Sequence, residues 1–220
     1  MHSILPYLKR LKKNNNREWF AKHKSEYDSL RQVFLFLIDE LIQALRQTDD
    51  SLAGVQAKDC VFRIYRDIRF SHDKRPYKIH FSAWMVPGGR KSEYPGYYLH
   101  VSPGGSFLAA GIWNPDKNLR MHIRRELVSH VDEFLEILHE PNLVKTFGEM
   151  DGARLKRVPR GFSKDFPQVE LLKMQDYLLK YDLPDSFFDE EWVERAAVIF
   201  RVAYPFNRFF IPVVDEFLGR

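Results

Sequence analysis

The chain has a single cysteine, Cys60, in 220 residues. It can form no disulfide within itself, and such sparing use fits a reducing compartment. Cys60 reads as a buried, inert thiol at the start of a strand. No stretch approaches the roughly 18 consecutive apolar residues that a membrane-crossing helix needs. The opening Met1-His2-Ser3-Ile4-Leu5-Pro6 lacks a charged segment followed by a long apolar one. The expectation is a cytoplasmic protein, neither exported nor embedded, with no membrane partner. The glycine pairs Gly88-Gly89 and Gly104-Gly105 sit in turn contexts rather than between a strand and a helix, so neither a P-loop nor a Rossmann fingerprint is present. A serine nucleophile elbow, a redox cysteine pair and a Walker lysine are missing too. No repeat, low-complexity tract or linker breaks the chain.

Excess charge is also scarce, since 34 Lys and Arg face 30 Asp and Glu for a net +4. A whole-surface attraction to nucleic acid or anionic membrane is therefore mild, and local clustering decides. Aromatic residues are plentiful, at 15% with 18 Phe, in a chain that is 45% hydrophobic and 29% charged. That is the profile of an ordinary globular protein, and the length suits one sizeable core. One domain over 1–220 is expected.

Ile4, Leu5, Leu8 and Leu11 follow helical spacing, and Asn14-Asn15-Asn16 supplies turn and cap chemistry before a second helix that could run to about Gln47. Its stripe is Tyr27, Leu30, Phe34, Leu37, Leu41 and Leu45. From about Asp59 the texture turns β-branched and aromatic, with candidate strands at 60–69, 78–87, 96–102 and 106–113 joined by short turns, as in an antiparallel meander. Asn114-Pro115-Asp116 opens a long helix ended by Pro141. A basic loop over 151–167 precedes helices at 168–180 and 189–202, and a last helix resumes after Pro205. The fold class is α+β: N-terminal helices, a central, mostly antiparallel sheet of about four strands, and C-terminal helices.

The chemistry concentrates in residues 63–78, which hold six cations and two carboxylates in sixteen positions. Cations this close repel one another unless something negative sits among them, and two aspartates cannot neutralise six. A phosphate or carboxylate ligand could. On a strand, alternation sends Phe62, Ile64, Arg66, Ile68 and Phe70 to one face and Arg63, Tyr65, Asp67 and Arg69 to the other. Arg66, on the apolar face, must reach a carboxylate, a carbonyl or an anion. Arg63, Arg66, Arg69, Lys74 and Lys78 are the candidate ligand-binding residues. Asp67 would orient the arginines, and His72, Asp73 and Tyr77 in the following loop are candidates to move protons. In the structural alternative, the same residues form an Arg–Asp network that pins a hairpin, with Tyr77 packed on it.

The segment fits R-x-x-R-D-x-R-F-x-x-D-K-x-x-Y and resembles the motif of a mostly bacterial family known as domain of unknown function 2461. Asn15-Asn16-Arg17-Glu18-Trp19-Phe20, Gly96-Tyr97-Tyr98-Leu99-His100, Ala110-Gly111-Ile112-Trp113 and Pro159-Arg160-Gly161-Phe162 are similar to its other landmarks. The resemblance implies an intact, single-domain member and brings no catalytic assignment.

Two further sets carry weaker signals. His80 and His100 lie on predicted strands and would join the basic site as acid or base if the register aligns them. His122, Glu126 and His130 fall at i, i+4 and i+8 on the long helix; the spacing is no recognised zinc signature, and a solvent-facing or capping role is expected. Asp67 with Asp73-Lys74 departs from the acid-acid-lysine pattern of metal-dependent nucleases, whose last two groups alternate on a strand.

The leading expectation is recognition of a phosphate-bearing small molecule, with phosphoryl or phosphodiester chemistry as an extension. The alternatives are a non-enzymatic nucleic-acid module that grips phosphates and stacks bases, and a structural or interaction protein without a ligand. No cofactor is predicted and a divalent metal stays open.

Overall fold

The N-terminal apolar spacing becomes α1 (Ile4–Lys13), with Ile4, Leu5, Tyr7, Leu8 and Leu11 buried along one side, in a computed structural model that describes residues 3–220. Asn16 caps α2 (Arg17–Lys22) by accepting from the Trp19 N–H at 2.9 Å. Where one helix was expected to continue to about Gln47, the chain breaks at His23. Its Nδ1 lies 2.8 Å from the Trp19 carbonyl and its ring stacks on Trp19 at 3.9 Å, so the side chain takes over a carbonyl at the helix end. α3 (Lys24–Arg46) then buries Tyr27, Leu30, Phe34, Ile38, Leu41, Ile42 and Leu45.

Cys60 closes the short α4 (Ala57–Cys60) instead of opening a strand. Burial pushes its thiol up to about 11, so it is the inert group expected.

The sheet contains β1 (Phe81–Met85), β2 (Gly96–Val101) and β3 (Ser106–Ile112), close to three of the expected strands. Beyond them come α5 (Lys117–Ser129), α6 (Val131–Leu138) and α7 (Pro141–Phe147). The helix expected to end at Pro141 breaks earlier, at His130. Pro141 begins α7, where its missing N–H costs nothing and Glu140 accepts from the Leu143 N–H at 2.7 Å. Only the first part of 168–180 is helical, as α8 (Val169–Lys173); the rest is β4 (Tyr177–Leu183). Tyr177, Leu179 and Leu183 are buried while Leu178, Lys180 and Asp182 are less so, a strand pattern in a run that also satisfies helical spacing. The chain ends in α9 (Trp192–Val202) and α10 (Tyr204–Leu218), with Pro205 in the first turn of the latter.

The four strands are ordered β1-β2-β3-β4 and run antiparallel, confirming the α+β class. The expected strand at 60–69 is not one of them. Only isolated antiparallel bridges, Val61 to Ala83 and Tyr65 to Tyr77, tie it to its neighbour. Four steps separate the bridged positions on one side and six on the other. The later segment therefore carries two extra residues between the bridges; the Lys78 N–H still donates to the Ile64 carbonyl at 2.7 Å and the Phe62 N–H to the Ser82 carbonyl at 2.9 Å, which leaves the bulge at Ile79–Phe81.

Contacts divide the chain into two compact units. The first comprises the described residues to Arg90 with 98–108 and 182–198. Phe34 and Tyr27 pack against Phe81 in its interior, at ring separations of 5.3 and 5.7 Å. The second comprises 91–97, 109–181 and 199–220, and its core gathers Phe134, Tyr177, Phe206 and Phe210. Gly111 in that core has φ +127°, and a side chain there would collide with the Tyr177 carbonyl. Arg124, buried in the same unit, donates to the Leu172 and Met174 carbonyls at 2.7 and 2.9 Å.

No single helix among the described residues is long and apolar enough to cross a membrane. α9 and α10 meet that requirement only when taken together across their break, and their rings Phe200, Phe206 and Phe210 are buried.

Candidate anion site

Two aspartates shape the loop after residue 66, each gripping the arginine two positions on. Asp67 accepts from the Arg69 backbone N–H at 3.2 Å and from its guanidinium at 3.0 and 2.7 Å. Asp73 repeats the arrangement with Arg75 at 3.0 and 2.7 Å, and also takes Arg66 at 2.8 Å. The hydrogen bonds from Arg69 lower Asp67 to about 2, and those from Arg75 and then Arg66 hold Asp73 far below the usual carboxylate range. Arg66 also donates to the Arg75 carbonyl at 2.9 Å and Lys74 to the Ile68 carbonyl at 3.1 Å. Five of the nine predicted site residues, Arg66, Asp67, Arg69, Asp73 and Lys74, thus hold the loop's own shape.

Of the remaining four, Tyr77 is a core residue. It is buried, stacks on Phe20 at 4.0 Å, and exchanges two backbone hydrogen bonds with the Asn15 amide at 2.9 and 3.1 Å. His72 is exposed in the loop. Arg63 and Lys78 fall in a second cluster, which the bulge creates. Extra residues in one strand re-aim the side chains there, and here Ile79, His80 and Phe81 lie opposite Arg63, directly after the paired Lys78.

His80 meets His100 of β2 with ring centroids 4.2 Å apart, so the register brings together the two imidazoles that alternation alone could not align. Lys78 Nζ lies 5.1 Å from the Phe62 ring centroid and the Arg90 guanidinium 5.5 Å from the same centroid. Arg90 also donates to the Val61 carbonyl. Arg63 is exposed and makes no hydrogen bond or ion pair among the described residues.

The electrostatics of this cluster are one-sided. Burial lowers Lys78, and Arg63 and Arg90 lower it further. Burial brings His80 down to about 3, with His100 and Lys78 adding to the shift, and His100 down to about 4, with Lys78 adding. No carboxylate counters any of the three shifts. Both imidazoles are neutral at pH 7, each with a lone pair and an N–H to offer.

Half-buried rings surround the group. Phe62 and Trp84 each approach Tyr98 at 6.3 Å, Phe107 lies 5.6 Å from Tyr98 and stacks on His100 at 4.8 Å, and the Tyr98 hydroxyl is 3.2 Å from His100 Nδ1. Cations, neutral imidazoles and ring faces without an acid can receive a planar or sugar-bearing anion. The same lack of carboxylates makes the cluster a poor host for a hard cation.

Sequence reasoning missed Arg90, which follows Gly88-Gly89 in a turn and acquires its place only through the fold. It put Arg66, Arg69 and Lys74 among the ligand-binding residues and kept the Arg–Asp network as the alternative, whereas here the loop holds these charges itself. The D-x-R spacing of Asp67 with Arg69 and of Asp73 with Arg75 was the available signal, because an aspartate readily bonds the backbone two residues on.

The protein is an α+β chain with a basic, aromatic-lined cluster on its sheet. Residues 3–209 match the family described as "Conserved hypothetical protein (DUF2461)", and the chain belongs to it. No curated protein and no solved structure matches the chain.

Proposed function

We propose that the protein binds a phosphate-bearing small molecule at the cluster of Arg63, Lys78, Arg90, His80 and His100. The carrying observation is the partly buried Lys78 ammonium, which burial, Arg63 and Arg90 all oppose and which no carboxylate supports. Such an arrangement is unfavourable without a ligand and favourable with an anion. The arginines supply forked donors for phosphate oxygens and Lys78 a compact charge. His80 and His100 donate as neutral imidazoles and can take up a proton as the anion arrives, which makes them the candidates for acid–base work if chemistry follows binding. Arg66, Arg69, Lys74, Asp67 and Asp73 act on this reading by holding the adjoining loop. A reducing, cytoplasmic setting agrees with the single buried cysteine.

A second reading, a nucleic-acid module, draws on the half-buried rings Phe62, Trp84, Tyr98 and Phe107 beside the cations and on Phe70, 94% exposed at the loop tip. It predicts affinity that grows with oligonucleotide length and falls steeply with salt.

Thermal shift against sulfate, phosphate, sugar phosphates, mononucleotides and short single strands tests both readings. The small-molecule reading requires stabilisation by a phosphate ester that Arg63→Gln loses and Arg69→Gln, whose guanidinium Asp67 holds, retains. Equal responses in the two variants would refute the assignment of this cluster. Stabilisation by oligonucleotides alone would transfer the site to nucleic acid.

A further inference from the structure

Across the second unit, three ligand-type side chains converge that take no part in the anion site. His122 and Glu126 are one helical turn apart on α5 and so share a face. α10 packs against α5 and brings Glu216 from its last turn to the same place. One ligand atom from each of the three lies within 4.8 Å of the other two.

The imidazole is the telling member. His122 Nε2 is buried and makes no hydrogen bond. The nearest partner, a Glu216 carboxylate oxygen, is 3.5 Å away, outside the range of a well-formed N–H···O bond. A buried nitrogen facing a carboxylate at that separation lacks the positive centre that would satisfy both. Glu126 is fixed from behind, because His130 Nδ1 contacts its carboxylate at 3.0 Å, as an outer partner orients a metal-binding carboxylate. The His122 and Glu126 side chains are 18% and 24% exposed, whereas that of Glu216 is 68% exposed. The cluster is thus walled on one side and open to solvent on the other.

We propose that His122, Glu126 and Glu216 bind a divalent first-row transition-metal ion. One imidazole nitrogen and two carboxylate oxygens suit Zn²⁺, Co²⁺ or Mn²⁺. Three protein ligands leave at least one position for water or an exogenous ligand. The rival arrangement is a pair of His–Glu ion pairs, His122 with Glu216 and His130 with Glu126, which holds the helices and takes no metal.

Calorimetric titration of the untagged chain with Zn²⁺ after dialysis against EDTA, repeated with Co²⁺ to read the visible ligand-field band, separates the two. The expected result is one saturable Zn²⁺ per chain, weakened about tenfold or more by Glu216→Gln and by Glu126→Gln and unchanged by Glu133→Gln on the exposed side of α6. Glu216→Gln carries the test if Glu126→Gln fails to fold, since Glu216 is mostly exposed. Absence of saturable binding, or binding that Glu216→Gln leaves intact, would overturn the proposal. Loss of binding only in His100→Gln would also overturn it, by placing the ion on the other imidazole pair.

Discussion

Replacing Lys78 with methionine should stabilise the ligand-free protein and weaken its response to anions ten- to hundredfold. Lys78 is partly buried, its charge opposed by burial and by Arg63 and Arg90, with its ammonium over the Phe62 ring at 5.1 Å. Methionine keeps the length of the stem and replaces the cation–π contact with a sulfur–aromatic contact of comparable size, ~0.5–1 kcal/mol in either case. The difference is the removed repulsion and desolvation. Discounted for partial exposure, that is about 0.5–1 kcal/mol, within the usual yield of relieving a functional site. For a chain of 220 residues such a gain raises Tm by roughly 1–4 °C. Loss of a charged hydrogen bond to the ligand costs about 1.5–3 kcal/mol of binding, a ten- to hundredfold rise in Kd. Thermal unfolding in an anion-free buffer followed by a sulfate titration reads both effects. A variant that melts below wild type without anions and keeps its sulfate response would show that Lys78 is a stabilising surface residue, and the reasoning would fail.

His80 and His100 titrate near 3 and 4 in the folded protein against an ordinary 6.5, so between these values the unfolded chain binds protons that the native one refuses. The stability they leave intact above pH 6.5 is therefore lost as pH falls toward 3, by at most about 1.4 kcal/mol per pH unit for each imidazole. His80→Gln/His100→Gln should flatten this limb in denaturant melts at pH 4.5–7, and an unchanged slope would count against the buried pair. Sulfate keeps its charge over that range, so in wild type its stabilising effect should grow from pH 8 to pH 5.5 as binding draws protons onto the imidazoles. Asn15→Ala removes both hydrogen bonds to the Tyr77 backbone and should cost about 1–3 kcal/mol. A loss below 0.5 kcal/mol in urea melts would mean that water replaces the amide.

Some parts of this protein were legible in its residues taken one stretch at a time. The cap at Asn16, the stripe of α3, the turn-bounded strands β2 and β3 and the proline-led α10 are local, because capping bonds, turn dihedrals and side-chain direction are set within a few residues. Even along 62–69, where no ladder forms, Phe62, Ile64, Arg66 and Ile68 are less exposed than Arg63, Tyr65, Asp67 and Arg69, as alternation requires. β4 was misread because an apolar run with charged interruptions satisfies helical and strand periods alike, and only the place beside β3, with Gly111 admitting the Tyr177 carbonyl, decides between them.

The candidate site divides in the same way. Charge density near residue 70 was plain from the sequence. Which cations are held depended on partners: Asp67 and Asp73 bind theirs locally, while Lys78 is left facing Arg63, Arg90 and two histidines. The bulge at Ile79–Phe81 and the meeting of His80 with His100 are matters of register, and alternation fixes a residue's face but never its neighbour on the next strand. His122 and Glu126 could be placed on one helix face from their spacing alone, but the arrival of Glu216 needed the packing of α10 on α5. Local chemistry thus chose the elements and supplied the charges. Tertiary structure decided which charges lack a counter-ion, because desolvation and pairing depend on what the rest of the chain brings near.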